Sequence, residues 1–351
     1  MKNENQQIYG FLFVLTLAMI FDAVFQSNSR DNFVLYGLNI FTIPVFIGLM
    51  GTLRSYESYK KKNFIKWITR WTKFLIIYLV IIMIYSFLIN WQFIQNVGVR
   101  FYLSEYYIID IKDRLIDPYF RLSILLIIPL FEFFTLLSNY LKISLKRYLM
   151  ISIIISFIAL SILVLPSGQI FISENITRIL IESTFRIQYL IFFTLGVLIH
   201  SSQAVINKNE IKKVSLISLI LLTLSSLLFF SNQYNFLTEW EIFFSINGLL
   251  LVRNIMNLIT SLFILLTLYY SALYFIIFKS FMIVLGRYSL NIIAWYGLAV
   301  VVSFNVTYQY IIENEYTLFY LISTLILLVI GLIHYYLRNI KWVNAYLIIK
   351  L

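Results

Sequence analysis

Two carboxylates stand inside apolar runs of this chain: Asp22, near the end of the first run, and Glu132, well inside the fourth. A charged side chain at the centre of a bilayer costs at least about 2.5–3.5 kcal/mol, so such groups face a bundle interior or a wet cavity and handle protons, hydroxyls or sugars. Asp22 and Glu132 are therefore the candidate catalytic residues. The plainer alternative for each is a buried ion pair or a side chain snorkelled to the interface. The cations to weigh as partners near the outer face are Arg121, Arg178, Arg186 and Arg253. Arg70 and Arg253 are candidate substrate-binding residues, one near each mouth of a central cavity. A guanidinium can hold a phosphate by two parallel hydrogen bonds, which a lysine cannot reproduce. For Arg70 the competing reading is a topological anchor among other basic residues.

Other chemistries find little support. His200 and His334 stand at the ends of apolar runs and read as interfacial residues rather than bases or a metal pair. There is no cysteine, hence no disulfide, thiolate metal site or thiol nucleophile, and no metal site is expected. No Walker loop, dinucleotide glycine pattern, GxSxG or HExxH is present, which argues against an ATP-driven pump acting alone and leaves no bound cofactor expected.

The elements that must carry these groups are membrane helices. Of 351 residues, 61% are hydrophobic and 12% charged, against roughly 25% charged in soluble domains. Spans need about 20 apolar residues, and ten candidates fit: 8–26, 33–53, 72–92, 119–140, 148–166, 186–202, 213–231, 254–277, 281–303 and 317–336. The first lacks a basic leader and a small-residue cleavage site, so it reads as a retained helix. Between the second and third runs lie seven basic residues, Arg54, Lys60, Lys61, Lys62, Lys66, Arg70 and Lys73. Lys and Arg resist translocation, which places this turn in the cytoplasm. Alternation then puts both termini inside and 19 of the 27 Lys and Arg residues on cytoplasmic segments. The expected architecture is an all-α polytopic membrane bundle forming one domain over 1–351, multi-pass in a plasma membrane of bacterial type. The net charge of +11 follows topology and does not indicate nucleic acid.

The outer segments are less uniform. Residues 93–118 mix aromatics with Glu105, Asp110, Asp113 and Asp117. They read as an interfacial amphipathic segment, with a glycan groove as the alternative. Residues 167–185 suggest a second interfacial helix. The stretch 243–277 exceeds one span, and Gly248 and Arg253 suggest a short re-entrant piece before the eighth helix.

Four segments carry a family resemblance. Ile43-Pro44-Val45-Phe46-Ile47-Gly48-Leu49-Met50-Gly51, the basic stretch Phe64–Lys73, Phe192-Phe193-Thr194-Leu195-Gly196 and Leu285-Gly286-Arg287-Tyr288-Ser289-Leu290-Asn291-Ile292 together resemble the acyltransferase-3 family of multi-span membrane proteins. The resemblance implies an O-acyltransferase that moves an acyl group from a cytoplasmic donor, acyl-CoA, onto an envelope polysaccharide or lipid-linked glycan. Polysaccharide synthases are implied partners. The family's span-1 Arg and His fall here at Leu12 and Asp22, and a later family His falls near Tyr296, which makes Tyr296 a further substrate-binding candidate. These replacements keep a second reading open, the intercellular-adhesion type of poly-N-acetylglucosamine export component. A polysaccharide polymerase is the weaker third, because no large arginine-rich outer loop is present.

Overall fold

The structure, a computed structural model, describes residues 4–25, 33–54, 64–116, 124–164, 186–202, 208–233 and 246–295, and the helical residues Leu325, Val329, Leu332, Ile333 and Tyr336. Among the described residues every regular element is helical. In order they are α1 (Glu4–Phe25), α2 (Phe33–Thr52), α3 (Phe64–Ile89), α4 (Trp91–Val97), α5 (Val99–Phe101), a π-turn over Tyr102–Tyr106, α6 (Tyr107–Ile116), α7 (Ile124–Tyr140) and α8 (Leu145–Val164). A 3-10 turn at Ile187–Tyr189 leads into α9 (Leu190–Ser202), followed by α10 (Lys208–Gln233), α11 (Ile246–Tyr274) and α12 (Ser280–Gly286). Helix is the expected outcome for such apolar runs, because in hydrocarbon each backbone N–H and C=O must be paired within the segment.

Among the described residues, three stretches are long and apolar enough to cross a membrane: Trp67–Leu88, Leu145–Ile162 and Val252–Tyr274. Gln6–Met19, Phe41–Thr52, Ile124–Tyr140 and Ile187–Ser202 form shorter apolar helices.

Three boundaries differ from the sequence-based expectation. Helix α3 begins at Phe64 rather than near residue 72, so Lys66, Arg70 and Lys73 belong to its first turns and not to a loop. Lys and Arg are good helix formers, and hydropathy is blind to that. Helix α11 runs unbroken from Ile246 to Tyr274, through both Gly248 and Arg253. A glycine costs only about 1 kcal/mol in a helix interior, so no re-entrant break is needed. The ninth run is interrupted: α12 stops at Gly286, Arg287 and Tyr288 form a turn, and residues 289–295 resume the helix. The Arg287 guanidinium lies 5.6 Å from the Tyr9 ring centroid. The 167–185 segment, Lys60–Lys62, Tyr296 and His334 lie outside the described residues.

Helix α2 is the hub. It packs against α1, α7, α9, α10 and α11, and it is buried continuously from Thr42 to Thr52. Glycines let it approach α9 backbone to backbone: a Cβ on Gly196 would overlap the Gly48 carbonyl, and one on Gly51 would overlap the Phe193 carbonyl. Close approach through small residues is how membrane helices associate when lipid is as apolar as leucine. Hydroxyl pairs between helices add to this, Ser152 with Thr194 at 2.9 Å and Ser225 with Thr260 at 3.0 Å. Helix α3 is more peripheral, resting on α6 and α7. Of the 93–118 segment, expected at an interface, the described residues 93–116 fold back along α3. Tyr102 and Asn90 both donate to the Ser86 carbonyl, at 2.9 and 2.8 Å, and Asn90 also donates to Asp110 at 3.2 Å. Ile108 and Ile109 of α6 stay exposed on its other face.

Candidate functional site

The apolar sequence of α7 places Glu132 one turn beyond Pro129, on the face turned towards α2 and α3. Its side chain is completely buried. The Arg54 Nε donates to Glu132 Oε1 at 2.9 Å, and the Trp71 Nε1 donates to Oε2 at 2.7 Å. Arg54 follows the last turn of α2, which tightens as Leu53 and Arg54 donate to the Met50 and Gly51 carbonyls. Trp71 sits two turns into α3 and is itself buried. Three helices, two of them joined by the basic stretch, thus converge on one carboxylate.

Two buried charges brought together recover their desolvation cost only when the geometry is good and the remaining lone pairs are satisfied. Here each carboxylate oxygen has its own donor. Glu132 is consequently suited to orient the guanidinium of Arg54, whose side chain is 21% exposed, more than to remove a proton from a substrate.

Around this cluster the facing walls of α3 and α7 are aromatic. Phe64 stacks on Trp67 at 5.6 Å, and Trp67 meets Phe133 at 5.4 Å between centroids. The Trp67 Nε1 is buried without a partner among the described residues. Two apolar grooves flank the cluster. One, of about 470 Å³, lies between Phe64 and Ile65 of α3 and Leu137 and Tyr140 of α7. The other, of about 500 Å³, runs from Trp67 to Leu75 along α3 and from Leu125 to Phe133 along α7.

The sequence candidates divide. Glu132 is at the centre of this cluster. Arg253 lies in the second turn of α11, half-buried, and makes no ion pair among the described residues, so it is not the partner of Glu132. That partner is instead Arg54, which follows α2. Asp22 and Arg70 belong to α1 and α3, and their side chains lie outside the described residues; Arg70 precedes Trp71 directly. His200 ends α9, half-buried. Leu12, at the place of the resembled family's arginine, is fully buried in the core. Sequence reasoning missed Arg54 and Trp71 as site residues. The available signal was weak: an arginine directly after an apolar run, and tryptophans at 67 and 71, one helical turn apart.

No family model, curated protein or solved structure matches this chain.

Proposed function

We propose that this protein is a plasma-membrane bundle of about ten spans with both termini cytoplasmic, and that it modifies an envelope glycan as an O-acyltransferase. The observation that carries this reading is the Arg54–Glu132–Trp71 cluster. A guanidinium fixed by a buried carboxylate, at the end of α2 that meets the basic stretch, is preorganised for the phosphates of a donor such as acyl-CoA. The Arg54–Glu132 pair is neutral as a unit, so the long-range attraction for that donor falls to Lys60, Lys61, Lys62, Lys66 and Arg70. Asp22 is the residue to take the proton as a sugar hydroxyl attacks the acyl carbon; the acyl–sulfur bond breaks, and the departing thiolate takes that proton back to leave as the thiol.

A second reading is favoured by a specific observation. Leu12 is an apolar core residue where the resembled family has an arginine, and both oxygens of Glu132 are engaged. A chain without a competent acid–base pair suits glycan export without acyl transfer. The experiment that separates them deletes the gene, restores it as wild type, Asp22→Asn or Arg54→Lys, and measures the surface polymer and its ester content. Loss of esters with polymer unchanged supports acyl transfer. Loss of surface polymer with accumulation inside supports export. If both variants reach normal protein levels and leave amount and acylation unchanged, this site is wrong.

A further inference from the structure

The grooves between α3 and α7 are left over by the glycan reading, and they meet at Phe133, which lines both. Together they form one furrow, walled by Phe64, Trp67 and Leu75 of α3 and by Leu126, Phe133 and Tyr140 of α7. Its lining is almost wholly carbon, with the buried Trp67 N–H as an unpartnered donor among the described residues. Pro129, on the furrow wall, has no N–H, so the helical bond to the Leu125 carbonyl is absent there.

Beyond one end of the furrow the chain is cationic. The N-terminus of α3 and the C-terminus of α7 come together where Phe64 and Ile65 face Leu137 and Tyr140. Immediately beyond Tyr140 the chain turns through Lys142 and enters α8 with Lys146 and Arg147. All three cations are exposed, and none is ion-paired among the described residues. Lys142 closes α7 in the left-handed region, at φ 56°, with Ile143 donating to the Ser138 carbonyl at 2.9 Å and Lys142 to that of Asn139 at 3.0 Å. Helix ends of this form ordinarily carry glycine, which has no Cβ to strain. A lysine here accepts strain and contributes charge.

We propose that this furrow is a binding site for one anionic phospholipid, with an acyl chain between α3 and α7 and the phosphate held by Lys142, Lys146 and Arg147. Charge complementarity selects the occupant: an apolar slot beside exposed cations, none of them ion-paired among the described residues, fits a single-chain contact with a negative headgroup. Because the chain presses on Trp67 and lies beside Trp71, the lipid also supports the α3 wall of the Glu132 cluster. The proposal is independent of the glycan chemistry.

The test titrates the purified full chain in detergent with dioleoyl phosphatidylglycerol and, separately, with dioleoyl phosphatidylcholine, counting bound lipid by native mass spectrometry. One saturable phosphatidylglycerol is expected per chain, with phosphatidylcholine a poor competitor. Lys142→Gly removes a cation while relieving the backbone, so it should fold at least as well as wild type. It should weaken retention roughly fivefold, the effect of one cation near a membrane surface, and Lys146→Gln should do the same. Leu126→Trp and Leu137→Trp fill the furrow and should abolish the site, whereas Leu216→Trp, exposed on α10, should leave it intact. If the filled variants do not fold, the two lysine variants decide. Equal retention of the two lipids, unchanged retention in Lys142→Gly and Lys146→Gln, or displacement of phosphatidylglycerol by equimolar undecaprenyl phosphate would each overturn the assignment.

Discussion

Glu132 draws on two donors of different kinds, and removing either leaves a buried acceptor short. Trp71→Phe keeps the ring and deletes only the N–H. It should lower stability by about 1–3 kcal/mol, the cost of an unsatisfied buried polar group. Glu132→Gln leaves Arg54 partly buried without its anion and should cost more, about 3 kcal/mol less whatever water recovers at the 21% exposed guanidinium. Thermal unfolding of the purified protein measures both. The pairing itself is checked by a double-mutant cycle of Arg54→Gln and Glu132→Gln, with an expected coupling of about 1–3 kcal/mol; additivity of the two substitutions would refute the interaction. At this scale the sequence was half legible. A carboxylate inside an apolar run announces itself, because its burial is costly. Its partner does not, because Arg54 lies 78 residues away and looks like one more positive-inside anchor. Trp71 was invisible for a related reason: an indole reads as apolar until its N–H has an address.

Helices in this molecule are set less by hydropathy than by where backbones touch. Gly51→Ala and Gly196→Ala each put a methyl against a carbonyl oxygen of the opposite helix, so the neighbour that must yield is backbone. Losses of about 1–3 kcal/mol are expected from such overpacking, read as a lower melting temperature and a smaller monodisperse fraction. Gly98→Ala is the control. That glycine sits at φ +88° with open space around its Cβ position, so only backbone strain is added, an expected loss of about 1 kcal/mol. The Pro44–Gly51, Phe192–Gly196 and Leu285–Gly286 segments behind the family resemblance include these close-approach glycines. In the sequence these segments read only as a family resemblance, and their role at helix crossings came from the structure. What the structure shows of them is packing. Boundaries were less legible: the lysines and arginine at the head of α3 lower hydropathy without opposing the helix, and Arg253 does the same in α11.

At the scale of the whole molecule, orientation is the prediction with most reach. Single substitutions Lys61→Cys and Asp110→Cys on intact cells should differ in reaction with an impermeant maleimide, with only the second labelled. Labelling at 61, or protection of a well-expressed 110 variant, would invert every loop. The apolar runs that make a bundle evident in the sequence say nothing of which helices meet, and a contact between the first helix and the segment before α12 is an instance. Gln7, 6% exposed in α1, accepts the Ile277 and Phe278 amides at 2.9 Å each, while Phe11 meets the Phe278 ring edge-on at 4.7 Å. The first helix is therefore completed by a segment 270 residues later in the chain. A ribosome adding about 5–20 residues per second leaves roughly 15–50 s in which that glutamine lacks these native partners. If α1 is a span, as the proposed ten-span bundle has it, it needs shelter through this interval, and a nascent chain halted before Ile277 carries a polar mark of incompleteness.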